Sequence, residues 1–137
     1  MNNLLTLKIE NSKTIGIKCY LFTPDKSRNE VITLIYDTGA DKTSITRDAL
    51  KMLGYANFAP SKKPKRTALG VFIPDTCMIS DLIIGRQFKM SNAKVDVLEI
   101  ASTSTFDGII GMDFITMHEN YISGSENTLT ISSKKLH

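Results

Sequence analysis

The stretch Val31-Ile32-Thr33-Leu34-Ile35-Tyr36-Asp37-Thr38-Gly39-Ala40 decides how the rest of the chain is interpreted. Apolar residues run from Val31 to Tyr36 with one interruption, and several of them are β-branched, which is typical of a buried strand. The run ends abruptly in Asp-Thr-Gly, where Gly39 permits backbone angles or a close approach that a Cβ atom would forbid. The pattern predicts a strand that delivers one carboxyl group, that of Asp37, to a tight loop.

A second stretch, Gly108-Ile109-Ile110-Gly111-Met112-Asp113, follows much later in the chain and predicts a short core strand between two glycines. Together the two stretches resemble the paired motifs of aspartic proteases, in which Asp-Thr-Gly-Ala is complemented by two apolar residues and a glycine. This chain carries one Asp-Thr-Gly. It is therefore similar to the retropepsin-like proteases, the single-motif form familiar from retroviruses, which works as a homodimer.

The resemblance implies a catalytic role for the Asp37 loop. Peptide hydrolysis at a carboxyl site needs a base to activate water and an acid to protonate the carbonyl oxygen, and in aspartic proteases two carboxylates that share one proton do both. The resemblance implies that this dyad consists of Asp37 from each of two identical chains, facing each other across a two-fold axis. It assigns Thr38 to a hydrogen bond across that axis and the Gly39 N–H to the carboxylates, and it assigns Ala40 and Asp41 to substrate binding.

The second motif is expected to support the active-site loop through Ile109, Ile110 and Gly111. A side chain at Gly111 is expected to collide with that loop. In viral relatives an Arg follows this glycine and pairs with acids of the loop, whereas this chain has Met112-Asp113. The usual ion pair is therefore expected to be absent or rebuilt.

A hairpin between the two motifs is the expected flap, which in retropepsin-like proteases closes over the substrate and excludes water. Gly70 lies between short apolar arms, which predicts a hairpin tip near Leu69-Gly70. The resemblance assigns Ala68, Leu69, Gly70 and Val71 to substrate binding.

Short segments with turns between them predict a mainly β fold with one or two short helices. The resemblance makes this a closed β-barrel-like acid protease half-domain that forms a two-fold homodimer. Thr46 is predicted to cap a helix that Gly54 ends. The first and last strands are expected either to interleave between subunits, as in viral relatives, or to pair within one chain. The predicted strands are Leu4–Glu10, Ile15–Phe22, Val31–Tyr36, Cys77–Ile84, Gln87–Met90, Ala93–Ile100 and Thr128–Ser132, with a turn expected at Ser91-Asn92.

Composition indicates an ordinary globular protein. The chain has 137 residues, of which 42% are hydrophobic and 23% charged, so residues 1–137 are expected to form a single domain. Its formal net charge of +3 would favour acidic partners. The basic cluster at residues 62–66 lacks interleaved aromatic residues, so it is interpreted as a solvated loop, and no nucleic-acid partner is expected.

The remaining sequence signals predict a cytoplasmic location. Two cysteines, Cys19 and Cys77, are present without a CxxC motif, which favours free thiols in a reducing compartment. No signal peptide and no membrane-length apolar run is visible. No metal-ligand spacing appears, and no cofactor is expected.

The sequence therefore predicts a homodimeric aspartic endopeptidase that hydrolyses peptide bonds of a protein or peptide substrate. Two alternatives stay open. One is a catalytically silent domain of the same fold that serves as a dimerisation or peptide-binding module. The other is a monomeric β-barrel with an unrelated ligand.

Overall fold

The computed structural model describes residues 3–9, 14–67, 70–100 and 105–133. The described residues form a mainly β fold with two short helices, as the sequence predicts. The strands are β1 (Leu4–Lys8), β2 (Gly16–Phe22), β3 (Asn29–Tyr36), β4 (Ser44–Thr46), β5 (Phe58–Pro60), β6 (Lys65–Thr67), β7 (Gly70–Phe72), β8 (Asp75–Ile84), β9 (Phe88–Leu98), β10 (Gly108–Ile110), β11 (Glu119–Ser123) and β12 (Thr128–Ser132), and the helices are α1 (Arg47–Met52) and α2 (Met112–Ile115).

Six strands close into a barrel. Their order is β2-β3-β10-β4-β9-β8, and β8 pairs back to β2 through Cys19↔Ile84 and Leu21↔Leu82. β5 adds to β8 outside the ring. The closed barrel implied by the resemblance is confirmed, and the closure leaves the six strands without a free edge along their paired segments.

Alternation along the strands builds the barrel core. In β2 the side chains of Ile17, Cys19 and Leu21 are fully buried, whereas Lys18 between them is exposed. Fully burying one such aliphatic side chain stabilises the fold by about 1.5–3 kcal/mol before the conformational entropy cost. The other large, fully buried aliphatic side chains come from the remaining strands and from α1, and they include Ile32, Leu34, Ile45, Leu50, Ile79, Leu82, Ile84 and Ile110.

The two terminal strands pair within one chain. β12 lies between β1 and β11 in a separate three-stranded sheet, with Leu5↔Ile131 and Leu7↔Leu129 in register on β1. Leu129 and Ile131 are fully buried, so this sheet packs its β12 side chains into the common core. Of the two arrangements that the sequence left open, the structure shows the intrachain one.

Three local predictions need correction. The predicted turn at Ser91-Asn92 lies inside one continuous strand, β9, where Asn92 has a φ of 50° and the register opposite β8 is the same on both sides of it. Residues 58–60, where no strand was predicted, form β5. The strand β11 was not predicted at all, because its Glu119–Ser123 sequence shows no apolar alternation.

The caps of α1 were predicted correctly. The Thr46 side chain accepts a hydrogen bond from the Ala49 N–H at 3.3 Å, and Gly54 has a φ of +88°, which favours glycine after a helix. Neither helix in the described part of the chain has the length and apolar character needed to cross a membrane.

Candidate active site

The Asp37 carboxylate is held in place by its own loop. β3 ends at Tyr36, and the Asp37 N–H donates to the Ile110 carbonyl at 3.0 Å. The Gly39 N–H donates to Asp37 Oδ1 at 2.8 Å, and a Cβ on Gly39 would come within 3.2 Å of that oxygen. Glycine at this position therefore leaves room for the amide to face the carboxylate, as the resemblance implied.

The second motif lies directly behind the loop. β10 runs parallel to β3, with Ile109 beside Ile35 and Ile110 beside Tyr36. A Cβ on Gly111 would lie 2.5 Å from the Lys42 carbonyl carbon and 2.9 Å from the Ala40 carbonyl oxygen. The expected collision at Gly111 is therefore present in the geometry, and it involves backbone atoms that cannot rotate away.

A carboxylate takes the place of the ion pair of the viral enzymes. Asp113 Oδ1 accepts hydrogen bonds from the Thr43 N–H at 3.0 Å, from Thr43 Oγ1 at 2.8 Å and from the Phe114 N–H at 2.9 Å. The Thr43 hydroxyl also accepts from the Gly111 N–H at 3.2 Å. Neutral donors and the Asp113 carboxylate thus connect the Asp37 loop to α2. Hydrogen bonds from backbone N–H groups to an ionised carboxylate are charge-assisted and therefore strong.

Backbone hydrogen bonds complete the attachment of the loop. The Met112 N–H donates to the Ala40 carbonyl at 2.8 Å, and the Asp113 N–H donates to the Asp41 carbonyl at 3.1 Å. The loop from Asp37 to Thr43 is therefore fixed at both ends and in the middle. Sequence reasoning missed the roles of Thr43 and Asp113, which lie far apart in the chain.

Tyr36 connects the end of β3 to the terminal sheet. Its hydroxyl donates to Asn120 Oδ1 at 3.0 Å, and partial burial raises the pKa of the Tyr36 phenol, so the group stays protonated as a donor at neutral pH. Asn120 in turn donates to the Ile115 carbonyl at 2.8 Å. The unpredicted strand β11 thus contributes to the position of the Asp37 loop.

Two cavities of similar size flank the loop. We name the first, of about 400 Å³, the apolar cleft. It is lined by Thr14, Ile15, Ile35, Tyr36, Asp37, Thr38 and Ile122. We name the second, of about 410 Å³, the basic cleft. It is lined by Gly39, Ala40, Asp41, Lys42, Ser61, Lys63, Pro64, Lys65, Arg66, Pro74 and Asp96.

The expected substrate residues fall at or near the basic cleft. Ala40 and Asp41 line it, and Asp41 is exposed. The predicted hairpin exists as β6 paired with β7, where Gly70 has a φ of +130° and Val71 is 59% exposed. Ala68 and Leu69, which were assigned to substrate binding, lie outside the described residues.

One ion pair attaches the hairpin to the barrel. Lys65 Nζ, at the start of β6, lies 3.5 Å from Asp96 Oδ2 and donates to Ser44 Oγ at 3.3 Å. Beyond the other end of the hairpin, Asp75 at the start of β8 pairs with Arg47 of α1 at 2.6 Å. The basic cluster at residues 62–66 was predicted to be a solvated loop. This is only partly correct, because Lys65 forms an ion pair with the buried Asp96 carboxylate.

A larger cavity lies elsewhere. It measures about 690 Å³, contains none of the loop residues from Asp37 to Thr43 and lies between β1 and the outward face of β2. Within the described ranges, no three His, Cys, Asp or Glu side chains are grouped so that they could hold a metal ion.

Comparisons with known proteins agree with the geometry. Residues 26–114 match the family model described as aspartyl protease. The fold is similar to that of a retropepsin-like aspartic protease from Rickettsia conorii, with a TM-score of 0.66 and 16% identity over 96% of this chain and 92% of that chain. It is also similar to the EIAV protease complexed with the inhibitor HBY-793, with a TM-score of 0.54 and 18% identity over 80% of this chain and 92% of that chain. No curated protein sequence matches the chain.

Proposed function

The chain belongs to the aspartyl protease family, in its retropepsin-like form, and from this premise we propose that it is a homodimeric endopeptidase that cleaves a protein or peptide substrate. The observation that carries the proposal is the half-site at Asp37. One half-buried carboxylate is held by the Gly39 N–H on a loop fixed to β10 and α2, beside a cavity on each side.

A second Asp37 completes the chemistry. In the proposed dimer, the two-fold axis passes between the Asp37 carboxyls of the two chains, because an isologous interface places each residue opposite its own copy. Two carboxylates this close hold one proton between them. The ionised one removes a proton from water, which attacks the scissile carbonyl, while the protonated one donates its proton to the carbonyl oxygen.

The apolar cleft is the proposed side for the partner subunit. Thr38 is exposed there, where its hydroxyl can hydrogen-bond to the loop of the second chain, and Ile122 is 54% exposed. Exposed apolar side chains beside a half-built site favour burial against a second copy. Because β1 and β12 already pair within one chain, we propose that this contact, rather than exchanged termini, brings the subunits together.

The hairpin β6–β7 is the proposed flap. It pairs with no other described strand, and Val71, Phe72 and Ile73 are 59%, 47% and 61% exposed. Apolar side chains on a two-stranded hairpin beside the active-site loop can cover a bound peptide and exclude water from it. Gly70 at φ +130° supports the turn of this hairpin.

A cytoplasmic location is also proposed. Cys19 and Cys77 are free and buried, and burial raises the pKa of the Cys19 thiol to about 12. Such thiols are inert core groups of the kind expected in a reducing compartment.

The test compares the wild type with Asp37→Asn on a peptide library. Asn keeps the shape of the side chain but cannot act as acid or base, so cleavage should fall by about 10²- to 10⁴-fold. Asp48→Asn, an exposed site on α1, is the matched control and should retain activity.

Unchanged cleavage in Asp37→Asn would contradict the proposed dyad. If the wild type cleaves no peptide but binds one, the chain is a peptide-binding module of this fold. If sedimentation shows only monomer at high concentration, the homodimer is wrong.

A further inference from the structure

The basic cleft carries an excess of unpaired positive charge. Of its four cationic side chains, Lys65 is matched by Asp96 at 3.5 Å. Lys42, Lys63 and Arg66 make no ion pair with any described residue, and the carboxylate of Asp41 is the remaining negative group in the lining. The lining therefore carries three cationic residues outside the ion pair of Lys65, against one such carboxylate, and it includes Gly39, whose N–H donates to Asp37 Oδ1.

The backbone that presents these cations is fixed. The Lys42 carbonyl lies against Gly111, within the loop that α2 and β10 hold. The Lys63 N–H donates to Ser61 Oγ at 3.2 Å, and the Ser61 N–H donates to the Pro74 carbonyl at 2.8 Å. Two segments of the chain therefore bring three cationic residues to the lining of one cavity.

We propose that the basic cleft selects peptide substrates with an acidic side chain close to the scissile bond. The inference rests on the proposed function, since it names the substrate class of the same site. A carboxylate of the substrate would meet Lys42, Lys63 and Arg66, and opposite charges across an interface favour the matching partner over neutral or like-charged ones.

The two-fold axis of the proposed dimer gives the active site two basic clefts. Each subunit of the dimer presents its own basic cleft, one on either side of the shared Asp37 pair. An extended peptide that crosses the axis would therefore find a basic cleft both before and after the cleaved bond. Acidic residues are expected to be favoured on both sides.

The test uses peptide sets that differ only in one residue, Glu, Gln or Lys, scanned through the positions on either side of the cleaved bond. For the wild type, kcat/KM should rank Glu above Gln above Lys at a position on each side. Removing one cation by Lys42→Gln, Lys63→Gln or Arg66→Gln should reduce the Glu-to-Gln ratio about two- to fivefold, as for partly exposed ion pairs.

Lys62→Gln is the matched control, because Lys62 is an exposed neighbour in the same cluster that does not line the cleft. It changes the net charge by the same amount and should leave the ratio close to that of the wild type. Raising the salt from 0.1 M to 1 M shortens the screening length from about 10 Å to about 3 Å and should lower the ratio in the wild type.

A binding measurement separates this inference from the proposed function. Fluorescence anisotropy of the same labelled peptides with Asp37→Asn reports affinity without cleavage. If the wild type cleaves but the Glu, Gln and Lys peptides are cleaved equally, the acidic preference is wrong and the protease proposal stands. If nothing is cleaved, the protease proposal fails, and the anisotropy ranking still supports or overturns the preference of the cleft. A loss of preference as large in Lys62→Gln as in Arg66→Gln would also overturn it.

Discussion

The Asp37 loop and the hairpin β6–β7, the proposed flap, both contribute residues to the basic cleft, and they are held in place in different ways. The loop from Asp37 to Thr43 is tied to β10 and α2 by backbone hydrogen bonds and by the Asp113 carboxylate. The hairpin β6–β7 is a separate two-stranded sheet, attached by the ion pair of Lys65 with Asp96 and carrying exposed apolar side chains. In the proposed function the firmly held loop positions the acid, and the lightly attached hairpin admits and covers a substrate.

Gly111→Ala should have the largest effect, because it disturbs the firmly held Asp37 loop. The new Cβ would lie 2.5 Å from the Lys42 carbonyl carbon. We expect a loss of unfolding free energy of about 3 kcal/mol, the upper end of overpacking costs, measured by urea denaturation. Gly124→Ala, where no heavy atom lies within 4 Å of the new Cβ, is the control and should change stability by less than about 0.5 kcal/mol. Equal stability of both variants would show that the loop can move away.

Asp113→Ala should also destabilise the Asp37 loop, but less than Gly111→Ala. It removes the acceptor of the buried Thr43 N–H and hydroxyl, and a donor left unsatisfied in the interior costs about 1–3 kcal/mol. Asp113→Asn keeps an oxygen at the same position and should lose clearly less. Thermal or urea unfolding gives the stability, and peptide cleavage reports the displaced loop. Identical losses in Ala and Asn variants would contradict the assigned hydrogen bonds.

Lys65→Met tests the flap side and should act on substrate binding more than on folding. It keeps the side-chain stem but removes the partner of Asp96, whose side chain is 7% exposed. We expect a stability loss of about 1 kcal/mol and a raised KM, because the hairpin is less well anchored.

Lys89→Met is the matched control for the flap variant. Lys89 also lies 3.5 Å from a buried carboxylate, that of Asp81, but it is remote from the hairpin. Its KM should stay at the wild-type value. Adding Asp96→Asn to Lys65→Met should recover stability, and a failure to recover would place the loss elsewhere.

Asp25→Asn should have the smallest effect. It tests a turn that belongs to neither the Asp37 loop nor the hairpin β6–β7. The Ser27 N–H, with the hydroxyls of Ser27 and Thr23, lowers the pKa of Asp25 to about 2. Since the folded pKa is below the unfolded one, the contribution of this carboxylate is present above about pH 4 and is lost as the pH falls towards 2. Urea unfolding should show a slightly less stable variant at pH 6 and a much smaller difference near pH 2. A difference at pH 2 as large as at pH 6 would contradict this.

Local sequence signals predicted the Asp37 loop well. The apolar run into Asp37, the glycine after Thr38 and the glycine at 111 follow from strand burial and close backbone approach, and the structure shows both features. The Thr46 cap and Gly54 likewise carry their own local signal.

The parts that were missed depend on contacts between distant segments. Thr43 and Asp113 meet only after β10 has inserted between β3 and β4. The basic cleft forms only when folding brings Lys42 and residues 63–66 to the same cavity. Ser91-Asn92 was predicted as a turn between two strands, but pairing with β8 on both sides of Asn92 keeps it inside one long strand.

The most direct test of the half-site is the separation of the two Asp37 carboxyl groups in a crystal of the protein. We expect a two-fold dimer in which an oxygen of one carboxyl lies within about 3 Å of an oxygen of the other, close enough to share a proton. Carboxyls that point apart in every assembly of the crystal would contradict the account.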